Sequence, residues 1–186
     1  NDFQTTFPKK LFFLAILNSS KICYTYNVVM IMNYMNIDCV YIEPMNKENE
    51  EFIGKDYLAV QTDYFDNDLV NSYDYLYYFD IKGIRQEMNN YDVLILFQFD
   101  RYIIASAILS HVEHFPDDYV RNHPECKGHN GRYVLKKDTV RTFKPITADE
   151  IGTMIKDFKR FGDVRQSYLK YQIDMNSLLS RISIKN

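Results

Sequence analysis

The four histidines, His111, His114, His123 and His129, all fall within residues 111–129, with Cys126 among them. The run His123-Pro-Glu-Cys126-Lys-Gly-His129 spaces nitrogen and sulfur donors three residues apart, a spacing a zinc ion can use. His111 and His114 sit at the end of a predicted strand, where an odd separation points them to opposite faces. Cys126 has no CxxC partner. The favoured reading is therefore a polar loop with no metal and no cofactor, and His123, Cys126 and His129 are the set to inspect if that reading fails. The same three residues could be drawn as a thiolate and its base, but three residues of separation in a Pro/Gly loop fix no such geometry. The chain carries no GxSxG, no P-loop and no GxGxxG. No PD followed by a D/E-x-K pattern falls on strands, and the many Asp between 63 and 100 read as turn and cap residues. The expectation is a chain that binds rather than catalyses.

Binding chemistry is better supplied. There are sixteen Tyr and thirteen Phe but no Trp. An AT-rich coding sequence, consistent with the abundant Asn, Lys and Ile, accounts for part of the Tyr excess. Reading a nucleobase outside a duplex needs a pocket that stacks on its face and hydrogen-bonds its edge. The candidate rings lie where strands run into loops: Tyr24 and Tyr26, Tyr57, and Phe97, Phe99 and Tyr102 around a predicted hairpin. Asn18 and Ser19, at the end of the first predicted strand, are candidates for the base edge. The alternative for every ring is the core, which must absorb most of them.

Phosphate contacts need cations, and the formal net charge of −3 offers none overall. The distribution is uneven. Residues 38–120 hold 5 Lys/Arg against 17 Asp/Glu, whereas residues 121–170 hold 12 against 6. A basic stretch on an acidic protein is an electrostatic footprint for phosphate, or else an ordinary solvated surface. The candidate phosphate ligands are Lys21, Lys127, Arg132, Lys136, Lys137, Arg141 and Lys144.

These residues must be positioned by a small set of elements. Leu11–Leu17 is an apolar run of strand length, closed by Asn18-Ser19-Ser20 and followed by a helix over 24–35. Short strands are expected at 39–42 and 57–61, around a charged loop over 46–56. Residues 63–78, acidic and Tyr-rich with weak periodicity, read as mixed helix and loop, and residues 80–88 as a short helix. Asp92–Phe99 is the strongest strand, and its unbroken apolar character suits cover on both faces. Asp100-Arg101 turns it into a returning strand over 102–112. Strands follow at 132–135 and 138–143, with Pro145 breaking the second. Thr147-Ala-Asp-Glu150 is a capping box that starts a helix running to about Phe158. A final amphipathic helix spans 164–182, with Tyr168, Tyr171, Met175, Leu178 and Ile182 on one stripe. The fold class is α+β: a small, mainly antiparallel, curved or barrel-like sheet flanked by helices, in one domain over 1–186. Three widely spaced cysteines fit free thiols in a reducing compartment. No apolar run reaches membrane length. A cytoplasmic protein with no membrane partner is expected. The start at Asn1 rather than Met suggests processing or excision from a longer chain.

Met88-Asn-Asn-Tyr-Asp92-Val-Leu-Ile-Leu-Phe97 followed by Tyr102-Ile-Ile-Ala-Ser-Ala-Ile-Leu109 resembles the central strand pair of EVE-like domains of the PUA superfamily. Tyr91-Asp92 stands where those domains carry Gly-Asp, and Ala105 stands near their usual Gly. Gly131-Arg-Tyr-Val-Leu135, Phe143-Lys-Pro145-Ile-Thr147 and the helix to Phe158 are similar to the ending of such domains attached to restriction endonucleases. The resemblance covers about two thirds of the chain and leaves 46–80 without a counterpart. It implies a PUA-like barrel that binds DNA or RNA and flips a base, often a methylated one, into an aromatic pocket, as EVE-like and YTH-like domains do. Their cage often includes Trp, so Phe or Tyr would substitute here. It further implies the specificity domain of a restriction system, with catalysis in an attached nuclease or ATPase/GTPase domain. Two alternatives stand beside it: an ASCH-type PUA relative that binds RNA or is a small hydrolase, which needs a pocket Lys with a carboxylate, and a protein-interaction module using the last helix.

Overall fold

The computed structural model describes residues 36–79, 86–124, 129–162 and 164–184. The expectations on Leu11–Leu17, Asn18, Ser19, Lys21, Tyr24, Tyr26, Cys126 and Lys127 lie outside the described residues.

The apolar run predicted as the central strand is β3 (Val93–Phe99), buried at every position. β1 (Cys39–Pro44) lies parallel to it, with Cys39 opposite Val93. β4 (Tyr102–His114) returns antiparallel after the two-residue connection Asp100-Arg101. Asp100 takes φ 55°, a left-handed conformation that a short polar side chain tolerates. β4 is long enough to serve two partners along one edge. Its first half pairs with β6 (Arg141–Thr147) and its second half with β5 (Gly131–Leu135). At the fork, the Ile108 N–H donates to buried Thr139 Oγ1 at 3.0 Å, and Ile108 O accepts from Lys136 N at 2.8 Å. Both backbone groups are thus satisfied where neither ladder reaches them. β2 (Leu76–Phe79) extends the sheet beyond β5, and β7 (Gln166–Leu169) pairs with β1. The strand order is β2-β5-β4-β3-β1-β7, with β6 branching from β4. The result is an α+β fold on a mixed, mainly antiparallel sheet. Register shifts at Phe97/Gln98, Ile103/Ala105 and Leu109/His111 are its bend points.

Four α-helices accompany the sheet in the described residues: α1 (Tyr57–Ala59), α2 (Asp117–Asn122), α3 (Ala148–Met154) and α4 (Met175–Ile182). None is long and apolar enough to cross a membrane. The capping box forms as expected, with Glu150 N donating to Thr147 Oγ1 and Thr147 N to Glu150 Oε2 at 2.9 Å. α1 runs directly into a π-helix over Val60–Ser72. Its buried positions, Val60/Gln61, Tyr64/Phe65 and Leu69, recur every four to five residues. That matches the roughly 4.4 residues per turn of i→i+5 hydrogen bonding rather than the α-helical 3.6. Gln61 ties this helix to the sheet, its Nε2 donating to Ile104 O and Phe143 O at 2.7 Å each.

Four local expectations are corrected. Residues 57–61 are helical, because Asp56 caps the segment by accepting from Ala59 N at 2.8 Å. Pro145 does not break its strand but sits within β6, which among the described strands pairs with β4 alone and so tolerates a missing donor on its other edge. There the Lys144 and Pro145 carbonyls accept from Arg181. The segment 164–182 is β7, a 3-10 turn and α4 rather than one helix. Tyr168 is buried opposite Val40, while Tyr171 of the supposed stripe is 82% exposed. The preceding helix stops at Met154, where Ile155 turns extended and bridges to Ile173.

Candidate functional site

Where the π-helix ends, the chain makes an unusual turn. Asp74 and Tyr75 take φ of 46° and 65° in succession, a conformation costly for a bulky residue such as Tyr75. The turn is closed by Tyr75 N donating to Leu69 O and Leu76 N to Tyr73 O. Tyr73 before it and Tyr77 and Tyr78 after it line a hollow of about 440 Å³. Asn49, Glu51 and Phe52 of the turns after β1 and Tyr64 of the π-helix line it too. Asp74 and His129 also belong to its lining.

The rings hold one another edge-to-face. Tyr64 packs on Phe52 with centroids 4.9 Å apart and on Tyr77 at 6.2 Å, both near perpendicular. Burial, reinforced by Tyr77, Glu51, Tyr73 and Asp68, pushes the Tyr64 phenol well above its ordinary pKa. Burial, then Glu43, does the same for Tyr77. Both therefore remain neutral hydroxyls at any working pH. The Tyr73 hydroxyl donates to Glu51 Oε1 at 2.7 Å and fixes that carboxylate at the hollow.

Behind Tyr77 lies a buried ionic cluster. Tyr77 stacks on Tyr133 at 6.0 Å, and the Tyr133 hydroxyl donates to Glu43 Oε2 at 2.9 Å. Arg165 Nε reaches the same carboxylate at 2.7 and 3.0 Å, and its guanidinium lies over Phe79. Burial pushes the Glu43 carboxyl up, and the hydrogen bond and charge of Arg165 pull it back. Burial also opposes the Arg165 charge, but Glu43 outweighs it and holds the guanidinium protonated. The cluster anchors the wall that carries Tyr77.

The residues expected at the site are divided by the structure. Phe97 is fully buried, 5.0 Å from Phe65 and 4.9 Å from Tyr77, so it backs the hollow's wall and faces no ligand. It lies mid-strand in a sheet covered on both faces, which leaves its ring no route to solvent. Phe99 is likewise buried, against Phe52. Tyr57 and Tyr102 meet each other at 5.4 Å on the surface and do not line the hollow. Of the expected cations, two grip residues that do. Arg132 donates to the Tyr78 hydroxyl at 3.1 Å while bonded to Glu113, and Lys137 pairs with Asp74 at 2.8 Å. Lys136 pairs instead with Asp92; Arg141 sits on β6 opposite Ser106, and exposed Lys144 lies further along that strand.

Among the described residues no group of three metal-binding side chains comes together. His123 stacks on Tyr119 at 3.9 Å and His129 lies 6.1 Å from Tyr78, while His111 bonds Glu113. The Cys39 thiol is pushed up to about 11 by burial and then by Asp38, which disfavours a nucleophilic thiolate. Of the polar and aromatic residues that matter, Tyr64, Tyr73, Tyr77 and Tyr78 were foreshadowed only by the density of Tyr over 64–78, and Glu51 only as part of the charged loop over 46–56. No family model, curated protein or solved structure matches the chain.

Proposed function

We propose that this chain is a nucleic-acid-binding module that takes one unstacked base of DNA into the tyrosine-lined hollow. The observation that carries the reading is the hollow itself: a cavity near 440 Å³ walled by Phe52, Tyr64, Tyr73, Tyr77 and Tyr78, with a carboxylate held at its side. That volume and lining suit one flat heterocycle. Arg132 and Lys137, bonded to Tyr78 and Asp74 of its lining, are the cations that would meet flanking phosphates. Left-handed Asp74 and Tyr75 at the same place fit strain stored at a site. We extend this reading to a PUA-like barrel and to the role of cytoplasmic specificity module for a restriction system acting through an attached nuclease or motor.

The hydrolase alternative finds less support. The hollow's lining includes no lysine among the described residues, and Lys137 beside it is held charged by its hydrogen bond to Asp74. The test is a fluorescence-anisotropy titration with matched unmodified, N6-methyladenine and 5-methylcytosine oligonucleotides, in DNA and RNA, at two salt concentrations. Salt-dependent binding that differs among the bases supports the reading. Equal and negligible binding to all removes it.

A further inference from the structure

Resting on the base-reading proposal, we infer that the hollow selects bases presenting an exocyclic amino group, and that Glu51 is the residue that selects them. Beside Asn49, Ser72, His129 and the tyrosine hydroxyls, the hollow is lined by two carboxylates, which when ionised can only accept. They are Glu51 and Asp74, and among the described residues no Lys or Arg lies in the lining. The Tyr73 hydroxyl, a group that could have donated to a carbonyl, spends its hydrogen on Glu51 Oε1 at 2.7 Å.

A base entering such a site is read by what it donates. Cytosine N4 and adenine N6 amino groups donate to a carboxylate, the pairing by which Glu and Asp read cytosine. The 4-oxo group of uracil or thymine would bring oxygen against oxygen and leave a carboxylate opposed in a half-buried site. A single N-methyl group leaves one N–H and keeps the contact; two methyl groups remove it. Discrimination is asymmetric, because a site built to accept a hydrogen bond rejects the analogue that lacks it.

The experiment uses short single-stranded DNA of constant thymine background with one central deoxycytidine, deoxyuridine, N4-methyl- or N4,N4-dimethyldeoxycytidine, measured by anisotropy against the full chain. The expected order is cytosine and N4-methylcytosine at least about tenfold tighter than uracil and dimethylcytosine. In Glu51→Gln the amide can turn either its oxygen or its NH₂ to the base, so the cytosine-to-uracil ratio falls to within about twofold. The four-base series on the unmodified chain decides the matter if that variant does not fold. Equal affinity for all four bases that is nonetheless lost in Tyr78→Ala overturns the selection by Glu51 and leaves base reading standing. Tighter binding of uracil also overturns it, and no binding of any oligonucleotide overturns both.

Discussion

Gln61 gives the sharpest test of how the site's wall is held. The β4–β6 ladder skips from Ile103 to Ala105, and the carbonyls of Ile104 and Phe143 fall in that gap. Gln61, 1% exposed, donates to both at 2.7 Å and so joins the π-helix to the sheet. Gln61→Leu keeps the volume but removes both hydrogen bonds and leaves two buried acceptors short of a donor. At about 1–3 kcal/mol per unsatisfied group, less the gain from a more apolar side chain, the expected loss is about 2–4 kcal/mol. Gln61→Glu retains polarity but, ionised, offers acceptors only, so it should cost more than Leu. The assay is urea denaturation followed by far-ultraviolet circular dichroism, with midpoints compared at equal slope. The predicted order of stability is Gln, then Leu, then Glu. Because Tyr64 rides on the same helix, Gln61→Leu should also weaken oligonucleotide binding. A Leu variant within about 0.5 kcal/mol of the parent, or a Glu variant as stable as Leu, would refute the reasoning.

Arg165→Met strands the buried Glu43 carboxylate and should cost about 3–5 kcal/mol in denaturant titration, while the double change Glu43→Leu with Arg165→Met should recover much of it. The Glu150 carboxyl is held below its ordinary 4.5 by the Thr147 backbone N–H, then by Arg181 and the Thr147 hydroxyl. A depressed native pKa adds stability above about pH 4.5 that is lost as pH falls through the native value, so Glu150→Gln should flatten the acid limb of thermal melting against pH. Tyr78→Ala should cost about 1–3 kcal/mol of binding. Lys137→Ala should weaken all sequences alike and reduce the slope of log affinity against log salt by about one unit.

What the sequence made legible was what is encoded locally. The apolar run of β3, the two-residue connection at Asp100-Arg101, the return of β4 and the Thr147/Glu150 box all follow from neighbouring residues, and all stand in the structure. The π-helix was hidden because the buried spacing of Val60, Tyr64, Phe65 and Leu69 fits neither the 3.6 nor the 2.0 period against which helices and strands are read. The stripe over 168–182 misled for the opposite reason. Its spacing suits a helix, yet pairing of Tyr168 with Val40 across the sheet overrides local preference. The site suffered from distance. Glu43 and Arg165 are 122 residues apart in sequence, and Glu51 meets Tyr73 across 22 residues that run from the loop after β1 to the end of the π-helix. The tyrosine density over 64–78 was visible but was shared with a compositional bias that explained part of it. The basic stretch was visible too, and among its described cations Arg132 and Lys137 reach residues of the hollow.

The chain has no tryptophan, so Tyr78→Trp places a single indole reporter at the wall of the hollow. Its emission, followed during titration with an oligonucleotide that binds by anisotropy, reports directly on a base stacking there. Saturable quenching with the same dissociation constant as the anisotropy signal is the predicted result. An indole whose emission does not change while anisotropy shows the complex forming would place the nucleic acid elsewhere and contradict the account.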